Sequence, residues 1–500
     1  MSELSKLRKA KTDWKEKAVK RAGLLCDARK KISRIEQRAE KCQKQMEQEI
    51  KSLRAQNANA QPALKVSSNL APLASTADLQ TLCVLIVISG IVSFRAVPRI
   101  LSVLRAFGHA VLPIPHFTSV IHWALRAGVE VFSTVCPVSE PWIAIIDCSI
   151  DIGTRKALVV LRVSLDALKN RKGAIILQDC ECIGLKISNT WNGKLIADAL
   201  KSIFAIAGQP MGILKDGGTD LSKGVHLYRE SQTDKKSVVL DDVGHVAANA
   251  LKAEFSEQTA FLKFLNILRK GAARIRQTDL AWLLPPKVRT KGRFQGITEV
   301  AEWAKKIVTL MGGQGRAIEN GELSKLRKAF AGLAQLTNFL GRFCIACATV
   351  EKVLKLLKKK GLNQETYREA KELLAELPEN STTHLRLNSW LEKHLSIHCR
   401  LGIGQIPLLV SSDIIESLFG KFKTVIQRNP QAELNRLVYV IPLLCGVQSK
   451  IEIATALTNC SHKKMLEQIQ NTIPITLRQQ RNRVLNRGPN PGTDEVLKTG

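Results

Sequence analysis

The feature that most constrains the fold is a change of pattern near residue 140, where short apolar runs rich in β-branched residues begin. Three such runs follow one another, separated by turn residues: WIAIIDCS, KALVVLRV and GAIILQD. This spacing predicts three consecutive strands that pair in antiparallel order. A helical segment follows at about 190–208, and then a further apolar run that ends at Asp216. Because strand–helix–strand passages form right-handed crossovers, this fourth strand is predicted to lie parallel in the same sheet.

After this passage the pattern changes from strands to helices. A fifth apolar run, SVVLDD, leads into a helix, and from about 250 to 405 almost every segment has helical periodicity. Beyond it, SSDIIESLFGKFKTVIQ at 411–427 predicts a capped amphipathic helix. The predicted fold is therefore α/β, with a mixed five-stranded sheet whose last helix is separated from the strands by a long all-helical region.

Two of the predicted strands end in an aspartate. Asp147 closes the run IAIID, and Asp216 closes the run GILKD. Carboxylates at the carboxyl ends of parallel strands lie at the edge where open α/β folds gather their ligands. Two carboxylates so close ionise together only with a cation between them, and hard divalent ions such as Mg²⁺ or Mn²⁺ prefer oxygen ligands. These residues therefore predict a divalent metal site.

A third carboxylate is needed to hold two metal ions about 3.5–4 Å apart for phosphoryl transfer. Glu416 is the best candidate, because Lys423 lies seven residues later on the same helix face and would meet the phosphates of the same DNA strand. The alternative is that Glu416 merely completes a capping box begun by Asp413. Other acids nearby are rivals for the first two ligand positions: Asp151, Asp220 and Asp241.

Four blocks of the sequence, in this order, resemble the catalytic domain of DDE transposases from bacterial insertion sequences. The blocks are WIAIIDCSIDIGTRKALVVLRV, ILKDGGTDLSKGV, LDDVGHVAANAL and SSDIIESLFGKFK. In the third block, Asp242 and His245 have the Cys/Asp-x-x-His spacing of the hAT-like and mutator-like groups. The 200 residues between Asp216 and Glu416 match the length of the all-helical insertion in those groups.

The resemblance implies an RNase H-like catalytic core that is interrupted by an all-α insertion. It implies that Asp147, Asp216 and Glu416 hold two Mg²⁺ or Mn²⁺ ions per active site, with support from Asp242 and His245. The implied activity is that of a DNA transposase, which cleaves the ends of its element and joins the freed 3′-hydroxyl to target DNA. The rivals are a DNA-binding protein that has lost this chemistry, and an RNase H-fold nuclease or resolvase.

The charge of the chain points to the same partner. The formal net charge is +31, from 75 Lys and Arg against 44 Asp and Glu, and such a surplus predicts a polyanion, here double-stranded DNA at the terminal inverted repeats and the target. A membrane is disfavoured, because the most apolar run, Leu82 to Val92, is about half as long as a spanning helix. The polar N-terminus and the twelve scattered cysteines favour a cytoplasmic, nucleoid-associated protein of bacterial type without a signal peptide.

Two segments before the sheet predict contacts with a second copy and with DNA. A heptad repeat from Leu25 to Leu53 predicts a coiled coil at 1–55 and hence a homodimer or larger oligomer; a single solvated helix along DNA is the alternative. A linker is predicted at 56–79 and a helix-turn-helix at 80–130, although two packed core helices would give the same pattern. The second helix offers four DNA-binding candidates: Thr118, Ser119, His122 and Arg126.

The remaining boundaries follow from these assignments. The catalytic core occupies 140–250 and 406–445, the helical insertion 251–405, and a basic tail 446–500. Within the insertion, two residue pairs have the spacing of zinc ligands, although core packing is the favoured role: Cys344 with Cys347, and His394 with His398. Core packing is also favoured over base stacking for Trp282 and Trp303.

Overall fold

The computed structural model describes residues 76–107, 113–148, 156–233, 236–288, 294, 296–312, 320–426 and 436–472, together with residues 48 and 484–485. The chain divides into two units, Met1–Ala71 and Pro72–Gly500, and the helices and strands described here belong to the second. The predicted coiled coil at 1–55, apart from residue 48, and residues 56–75 of the predicted linker lie outside the described residues, as does Asp151.

Five strands form one sheet, in the order β3-β2-β1-β4-β5. They are β1 (Trp142–Asp147), β2 (Lys156–Ser164), β3 (Cys180–Ser188), β4 (Gly212–Lys215) and β5 (Val238–Asp241). The first three strands pair antiparallel, whereas β4 is parallel to β1 and β5 is parallel to β4. The predicted mixed sheet and the parallel crossover to the fourth strand are therefore confirmed. A mixed sheet of this kind fits an RNase H-like core.

The helices surround this sheet in several groups. Before it lie α1 (Thr76–Gly90), α2 (Ala96–Ala106) and α3 (Phe117–Ser133), and between its strands lie α4 (Leu165–Arg171), α5 (Gly193–Ala207) and α6 (Thr219–Glu230). After β5 come α7 (Val243–Phe255), α8 (Thr259–Ile275), α9 (Ile297–Met311), α10 (Asn320–Ala329), α11 (Thr337–Lys360), α12 (Gln364–Leu374) and α13 (Thr382–Leu401). The chain continues with α14 (Asp413–Ile426), a 3₁₀ helix (Arg436–Leu444), α15 (Lys450–Asn459) and α16 (His462–Thr472).

The central strands are buried on both faces, which explains why their sequences are continuous apolar runs. All six residues of β1 are buried. Successive side chains of a strand point to opposite faces, and two hydrophobic clusters receive them. One cluster includes Ile145 and Leu214, and the other includes Ile146 and Ile213, which pack against α5 and α6. Alternate residues along each strand therefore belong to different clusters, one on each face of the sheet.

The described residues from 243 to 401 contain helices and no strand, in agreement with the helical periodicity predicted there. Phenylalanines form the centre of this region, and their ring centroids lie 5.0–6.4 Å apart: Phe255, Phe261, Phe264, Phe339 and Phe343. Aromatic pairs at these separations add to the burial of their surface. Whether the region is an inserted domain of the implied kind stays a prediction.

The third strand lies later in the sequence than predicted. The apolar run at 173–179 does not form it: this run includes a 3₁₀ turn, Leu177–Asp179, and β3 begins at Cys180. Asp179 stabilises the turn by accepting a hydrogen bond from the backbone N–H of Ile176 at 2.8 Å. At Gly173, where φ is +89°, a Cβ atom would lie 2.6 Å from the carbonyl oxygen of Lys360, so this run packs against the end of α11.

Within the described residues, the segment predicted as a basic tail, 446–500, contains α15 and α16, which pack against α3. Their buried residues are few and far apart in sequence, among them Ile453, Leu457, Met465 and Ile469. The predicted helix-turn-helix is likewise part of a larger helical core. At Gly128 in α3, a Cβ atom would lie 1.8 Å from the carbonyl oxygen of Tyr439, so the 3₁₀ helix lies directly against α3.

Within the described ranges, each helix taken singly is too short or too polar to cross a membrane. One bent pair, Gly321–Ala329 with Ala334–Lys360, meets the requirement by length and composition when its two helices are counted together.

Candidate active site

Three aspartates stand side by side at the carboxyl ends of the three parallel strands. In the ladder, Ile146 of β1 pairs with Lys215 of β4, and Lys215 pairs with Asp241 of β5. The next residue of each strand is Asp147, Asp216 or Asp242. Since neighbouring strands are about 4.8 Å apart, this register brings the three aspartates together at one edge of the sheet.

Asp242 joins this edge to the helix that carries Glu416. Its Oδ1 accepts a hydrogen bond from the backbone N–H of His245 at 2.7 Å and so caps α7. Its Oδ2 accepts hydrogen bonds from the backbone N–H of Ser412 at 2.7 Å and from the Ser412 hydroxyl at 3.1 Å. Ser412 immediately precedes α14. One buried carboxylate therefore fixes the start of two helices.

The predicted acidic residues meet at one cavity of about 220 Å³. Asp147 and Asp216 reach it from the strand ends, and Glu416 reaches it from the first turn of α14. The supporting residues predicted with them, Asp242 and His245, line the same cavity. Further lining residues are Thr298 of α9, Lys358 of α11, Ser412 and Asp413. The structure thus brings together five residues that lie up to 269 positions apart in the sequence.

Short turns orient the first two carboxylates. Oδ1 of Asp147 accepts a hydrogen bond from the backbone N–H of Cys148 at 2.6 Å. Oδ1 of Asp216 accepts one from the backbone N–H of Gly218 at 2.8 Å. The ring of His245 packs on the turn after Asp216, since a Cβ atom at Gly217 would lie 2.1 Å from its Cδ2. A glycine is needed there because any side chain would collide with the imidazole.

The thiol of Cys148 reports the negative charge of this site. Burial, together with the charges of Asp147, Asp216 and Asp220, raises its pKa to about 12 against the opposing charge of Lys156. A thiol with so high a pKa is protonated at neutral pH and is a poor nucleophile. Cys148 is therefore not a candidate for covalent chemistry.

The donor atoms of this cavity suit a hard divalent ion, because its acidic residues offer carboxylate oxygens. Among the described residues, however, no three His, Cys, Asp or Glu side chains are already gathered closely enough to hold an ion. The residues fit Mg²⁺ or Mn²⁺ by chemistry and by a shared cavity.

The alternatives to Asp147, Asp216 and Glu416 have other surroundings. Asp413, the capping alternative, is the first residue of α14 and forms an ion pair with Lys358 at 2.6 Å. Asp241 forms ion pairs with Lys215 and Lys393. Asp220 is exposed in the first turn of α6. None of these contacts brings Asp220 or Asp241 into the lining of the acidic cavity.

The predicted DNA-binding candidates on α3 lie apart from this cavity, and Arg126 is used by the fold. Its Nε donates to the carbonyl oxygen of Cys460 at 2.6 Å, and its Nη2 donates to that of Leu457, at the C-terminal end of α15. Its guanidinium thus satisfies helix-end carbonyls, and its contact with DNA stays a prediction.

The other three candidates on α3 differ in exposure. The ring of His122 lies 5.4 Å from that of His462, and burial, with the charges of Arg436 and His462, lowers its pKa. Thr118 is exposed, and its hydroxyl lies 2.8 Å from Nδ1 of His116. Ser119 is half-buried. Their contact with DNA stays a prediction.

Lys423 is half-buried on α14 and does not line the acidic cavity. Its predicted position two turns beyond Glu416 places it about 10 Å along the helix axis. A contact with DNA therefore stays a prediction for this residue too.

The possible zinc ligands have backbone partners. Nε2 of His394 accepts from the backbone N–H of Asp241 at 3.0 Å, and Nδ1 donates to the carbonyl oxygen of Trp390 at 2.8 Å. Nε2 of His398 lies 3.0 Å from the carbonyl oxygen of Ile406, and Sγ of Cys344 lies 3.3 Å from that of Ala301. These residues, with buried Cys347, are part of the packing of the helices.

The two tryptophans considered for base stacking have different surroundings. Trp303 is half-buried against Phe330, and its indole N–H donates to the carbonyl oxygen of Leu283 at 3.2 Å. Core packing is right for Trp303. Trp282 is 64% exposed, so the expectation of core packing is wrong for this residue.

The polar residues of the cavity that sequence reasoning missed include Lys358 and Ser412. Lys358 lies in the run LKLLKKKG at the end of α11, where adjacent lysines give no local signal that one of them faces an acidic cavity. Ser412 belongs to the segment SSD before α14, where a serine is an ordinary helix-start residue. Both roles depend on contacts between distant segments.

Comparisons with known proteins give likenesses in structure but none in sequence. No family model matches the chain, and no curated protein matches it in sequence. Among solved structures, the chain is similar to the Drosophila P element transposase in its strand transfer complex, with 13% identity over 79% of this chain and 95% of that chain. The TM-score is 0.39. A likeness at this level carries no argument about function.

Proposed function

We propose that the chain is a DNA transposase that cleaves DNA at the ends of its element and transfers the freed 3′-hydroxyl into target DNA. One observation carries the proposal: Asp147, Asp216 and Glu416, which the sequence motifs single out, line one cavity at the carboxyl ends of parallel strands. The motifs lie far apart in sequence, and the cavity nevertheless brings their acidic residues together. A chance gathering of unrelated acids would not follow the motif order.

In this proposal Asp147, Asp216 and Glu416 hold two Mg²⁺ or Mn²⁺ ions. When bound, such ions activate the attacking oxygen and stabilise the leaving oxygen of a phosphoryl transfer. The protein itself contributes orientation. The hydrogen bonds that Asp147 and Asp216 accept from their own turns fix the direction of each carboxylate.

Asp242 and His245 act as supports. Asp242 is 6% exposed and accepts hydrogen bonds from α7 and from the residue before α14, so it sets the distance between the strand ends and Glu416. His245 packs on the turn that follows Asp216 and holds the direction of that carboxylate. Outer residues of this kind tune a metal site through the ligands that they orient.

The net charge of +31 supports double-stranded DNA as the substrate, with terminal inverted repeats and target DNA as its two forms. Lys423 on α14 and the four candidates on α3, Thr118, Ser119, His122 and Arg126, would contact this DNA. A homodimer or larger oligomer, in a cytoplasmic, nucleoid-associated setting of bacterial type, belongs to the same proposal. Two protomers would bring the two ends of one element together.

A strand-transfer assay tests the proposal. Inverted repeats in the DNA flanking the coding region would supply the end substrate, which is incubated with the full-length chain, supercoiled target DNA and Mg²⁺. A transposase joins labelled ends to the target. A nuclease or resolvase cuts without forming this joined product, and a binding protein without catalysis only retards the end DNA on a gel. Either of the latter results would overturn the proposed function.

A further inference from the structure

Among the described residues of the helical region, Lys358 is the lysine that lines the acidic cavity. Lys358 lies in the last turn of α11, and its Nζ forms an ion pair with Oδ2 of Asp413 at 2.6 Å. A Cβ atom at Gly244 would lie 3.5 Å from this Nζ and 3.1 Å from Oδ1 of Asp242. The ammonium group therefore lies over the backbone of Gly244, beside the carboxylate that caps α7.

Three contacts hold the segment from Val410 to Asp413, where α14 begins. The backbone N–H of Val243 donates to the carbonyl oxygen of Val410 at 2.9 Å. Asp242 accepts two hydrogen bonds from Ser412, and Lys358 pairs with Asp413. The first two contacts come from the end of β5 and the start of α7, whereas the third comes from α11. The helical region therefore takes part in fixing this helix end.

Glu416 lies three residues beyond Asp413, which is less than one helical turn and about 4.5 Å along the axis. A shift or rotation of the first turn of α14 would therefore move the Glu416 carboxylate by a similar distance. Metal ligands must be held within about 0.5 Å of their productive positions. The contact at Asp413 is close enough to Glu416 to control this placement.

We propose that Lys358 is a positioning residue, which uses its ion pair with Asp413 to hold Glu416 in place for metal binding. This inference rests on the proposed function, because it takes Glu416 to be a metal ligand. It assigns to the helical region a direct part in building the site. The effect on the metal passes through Asp413 and the backbone of α14, without contact between Lys358 and the ion.

The sign of one measurement separates this role from simple electrostatics. If Lys358 acted only as a positive charge among the carboxylates, its removal would strengthen the binding of a divalent cation. If it positions Glu416, its removal weakens that binding, and the loss of an orienting partner around a metal site is typically about 10–100-fold in affinity. The two roles therefore predict changes in opposite directions.

The experiment is a Mn²⁺ titration of the full-length chain, followed by electron paramagnetic resonance without DNA. We expect Lys358→Met to weaken Mn²⁺ binding about tenfold or more, and Lys358→Arg to restore most of it. Lys359→Met is the matched control, because Lys359 is the next residue of α11 and is exposed. It should bind Mn²⁺ as the wild-type chain does. Circular dichroism and thermal unfolding establish that each variant is folded.

A second variant tests the route through Asp413. Asp413→Asn should reproduce the loss seen with Lys358→Met, and the double variant should be no weaker than either single one, because both changes break the same contact. Additive losses would overturn the proposal, as would unchanged or tighter Mn²⁺ binding by a folded Lys358→Met chain. A lysine whose only role is to contact DNA phosphate would leave Mn²⁺ binding unchanged, because the titration contains no DNA.

Glu416→Gln in the same titration separates this inference from the proposed function. If the wild-type chain binds no Mn²⁺, or Glu416→Gln binds as well as the wild type, the metal site itself is overturned and the role of Lys358 with it. If Glu416→Gln weakens binding and Lys358→Met does not, only the role of Lys358 is overturned.

Discussion

Asp241 and Asp242 are adjacent at the end of β5, yet they serve two different regions of the molecule. Asp242 lines the acidic cavity together with Asp147 and Asp216. The side chain of Asp241 points to the opposite face of the sheet, as do those of Ile213 and Ile146. It lies between two lysines. We call Lys215, Asp241 and Lys393 the ion triad. Comparing it with the acidic cavity shows how two adjacent aspartates take different roles, one in ion pairs that stabilise the fold and one in the candidate active site.

In the ion triad every charge is paired. Lys215, whose side chain is 7% exposed, donates to Oδ1 of Asp241 at 2.8 Å, and Lys393 of α13 donates to Oδ2 at 2.6 Å. Burial raises the pKa of Asp241, but hydrogen bonds from Lys215 and Lys393 outweigh this effect and bring the pKa to about 2. Trp390 and His394 of α13 bind the backbone of the same residue. The edge strand of the sheet is thereby tied to a helix.

In the acidic cavity the contacts are of another kind. The described hydrogen bonds to Asp216 and Asp242 come from neutral backbone N–H groups and one serine hydroxyl. Such donors orient a carboxylate without cancelling its charge. The high pKa of Cys148, to which the charges of Asp147 and Asp216 contribute, is consistent with negative charge collected there. The difference teaches that the fold pairs the carboxylate of Asp241 with two lysines, whereas the described partners of the Asp216 and Asp242 carboxylates are neutral groups.

The largest effect is expected at the acidic cavity. Asp147→Asn, Asp216→Asn and Glu416→Gln should each reduce DNA cleavage about a thousandfold or more, because a lost metal ligand removes several kcal/mol of transition-state stabilisation. Binding to end DNA should stay within about twofold, since phosphate contacts provide most of that affinity. Cleavage and gel-retardation assays in Mg²⁺ measure both. Asp220→Asn is the control and should cleave normally; full cleavage by any of the three variants would remove that residue from the site.

These strand ends also show how much the sequence could predict. Asp147 and Asp216 were predictable, because continuous apolar runs identify buried strands and their last residues lie at the ligand-binding edge of the sheet. Glu416 followed from its motif. Lys358 and the partners of Asp241 on α13 were not predictable, because those contacts join segments more than 50 residues apart.

The errors in the fold have the same origin. The apolar run at 173–179 has strand composition, yet it packs against the end of α11 and leaves the ladder to the more polar CECIGLKIS. The local sequence pattern does not show which of these two segments forms the third strand. The helices α15 and α16 were missed because their apolar residues are sparse and become buried only against α3. Tertiary packing overrode the local signal in both places.

The next largest effect is expected in the ion triad, on stability. Asp241→Ala should lower the free energy of unfolding by about 3–5 kcal/mol, because it leaves the buried ammonium of Lys215 without its partner. Asp242→Asn should cost less, about 1–2 kcal/mol, because an amide oxygen still accepts some of the same hydrogen bonds. Urea unfolding measures both values. The comparison between the two regions would fail if Asp242→Asn proved the more destabilising change.

A smaller effect is expected from pH, through His394. This side chain is fully buried, and burial lowers its pKa to about 4 despite the hydrogen bond to Trp390. An unfolded histidine has a pKa of about 6.5, so between these values only the unfolded chain takes up the proton. Stability from this residue is therefore complete above pH 6.5 or so and falls by up to about 3 kcal/mol as the pH drops to about 4.

The test compares wild type with His394→Asn in urea unfolding from pH 7 to pH 4. The variant should be less stable at pH 7, and the gap should close as the pH falls. Asp241 does not confuse this window, because stability from its low pKa of about 2 is present above its unfolded pKa and is lost only as the pH falls toward 2. A gap that stays constant from pH 7 to pH 4 would show that His394 is not held neutral by the fold.

The smallest effect concerns which face of α14 belongs to the acidic cavity. Lys423 shares the face of Glu416 at about 10 Å along the axis, whereas Lys421 is rotated from it by about 200°. Lys421 lies near the buried thiol of Cys445. Burial raises the pKa of this thiol well above its usual range, and the positive charge of Lys421 opposes that rise. Lys423→Ala should therefore weaken end binding and cleavage together by about 1–3 kcal/mol, as expected for one lost charge-assisted phosphate contact. Lys421→Ala should change both by less than about 0.5 kcal/mol. Equal losses in the two variants would mean that DNA approaches α14 from the side of Cys445, and the boundary drawn here between the cavity side and the structural side of the helix would have to be moved.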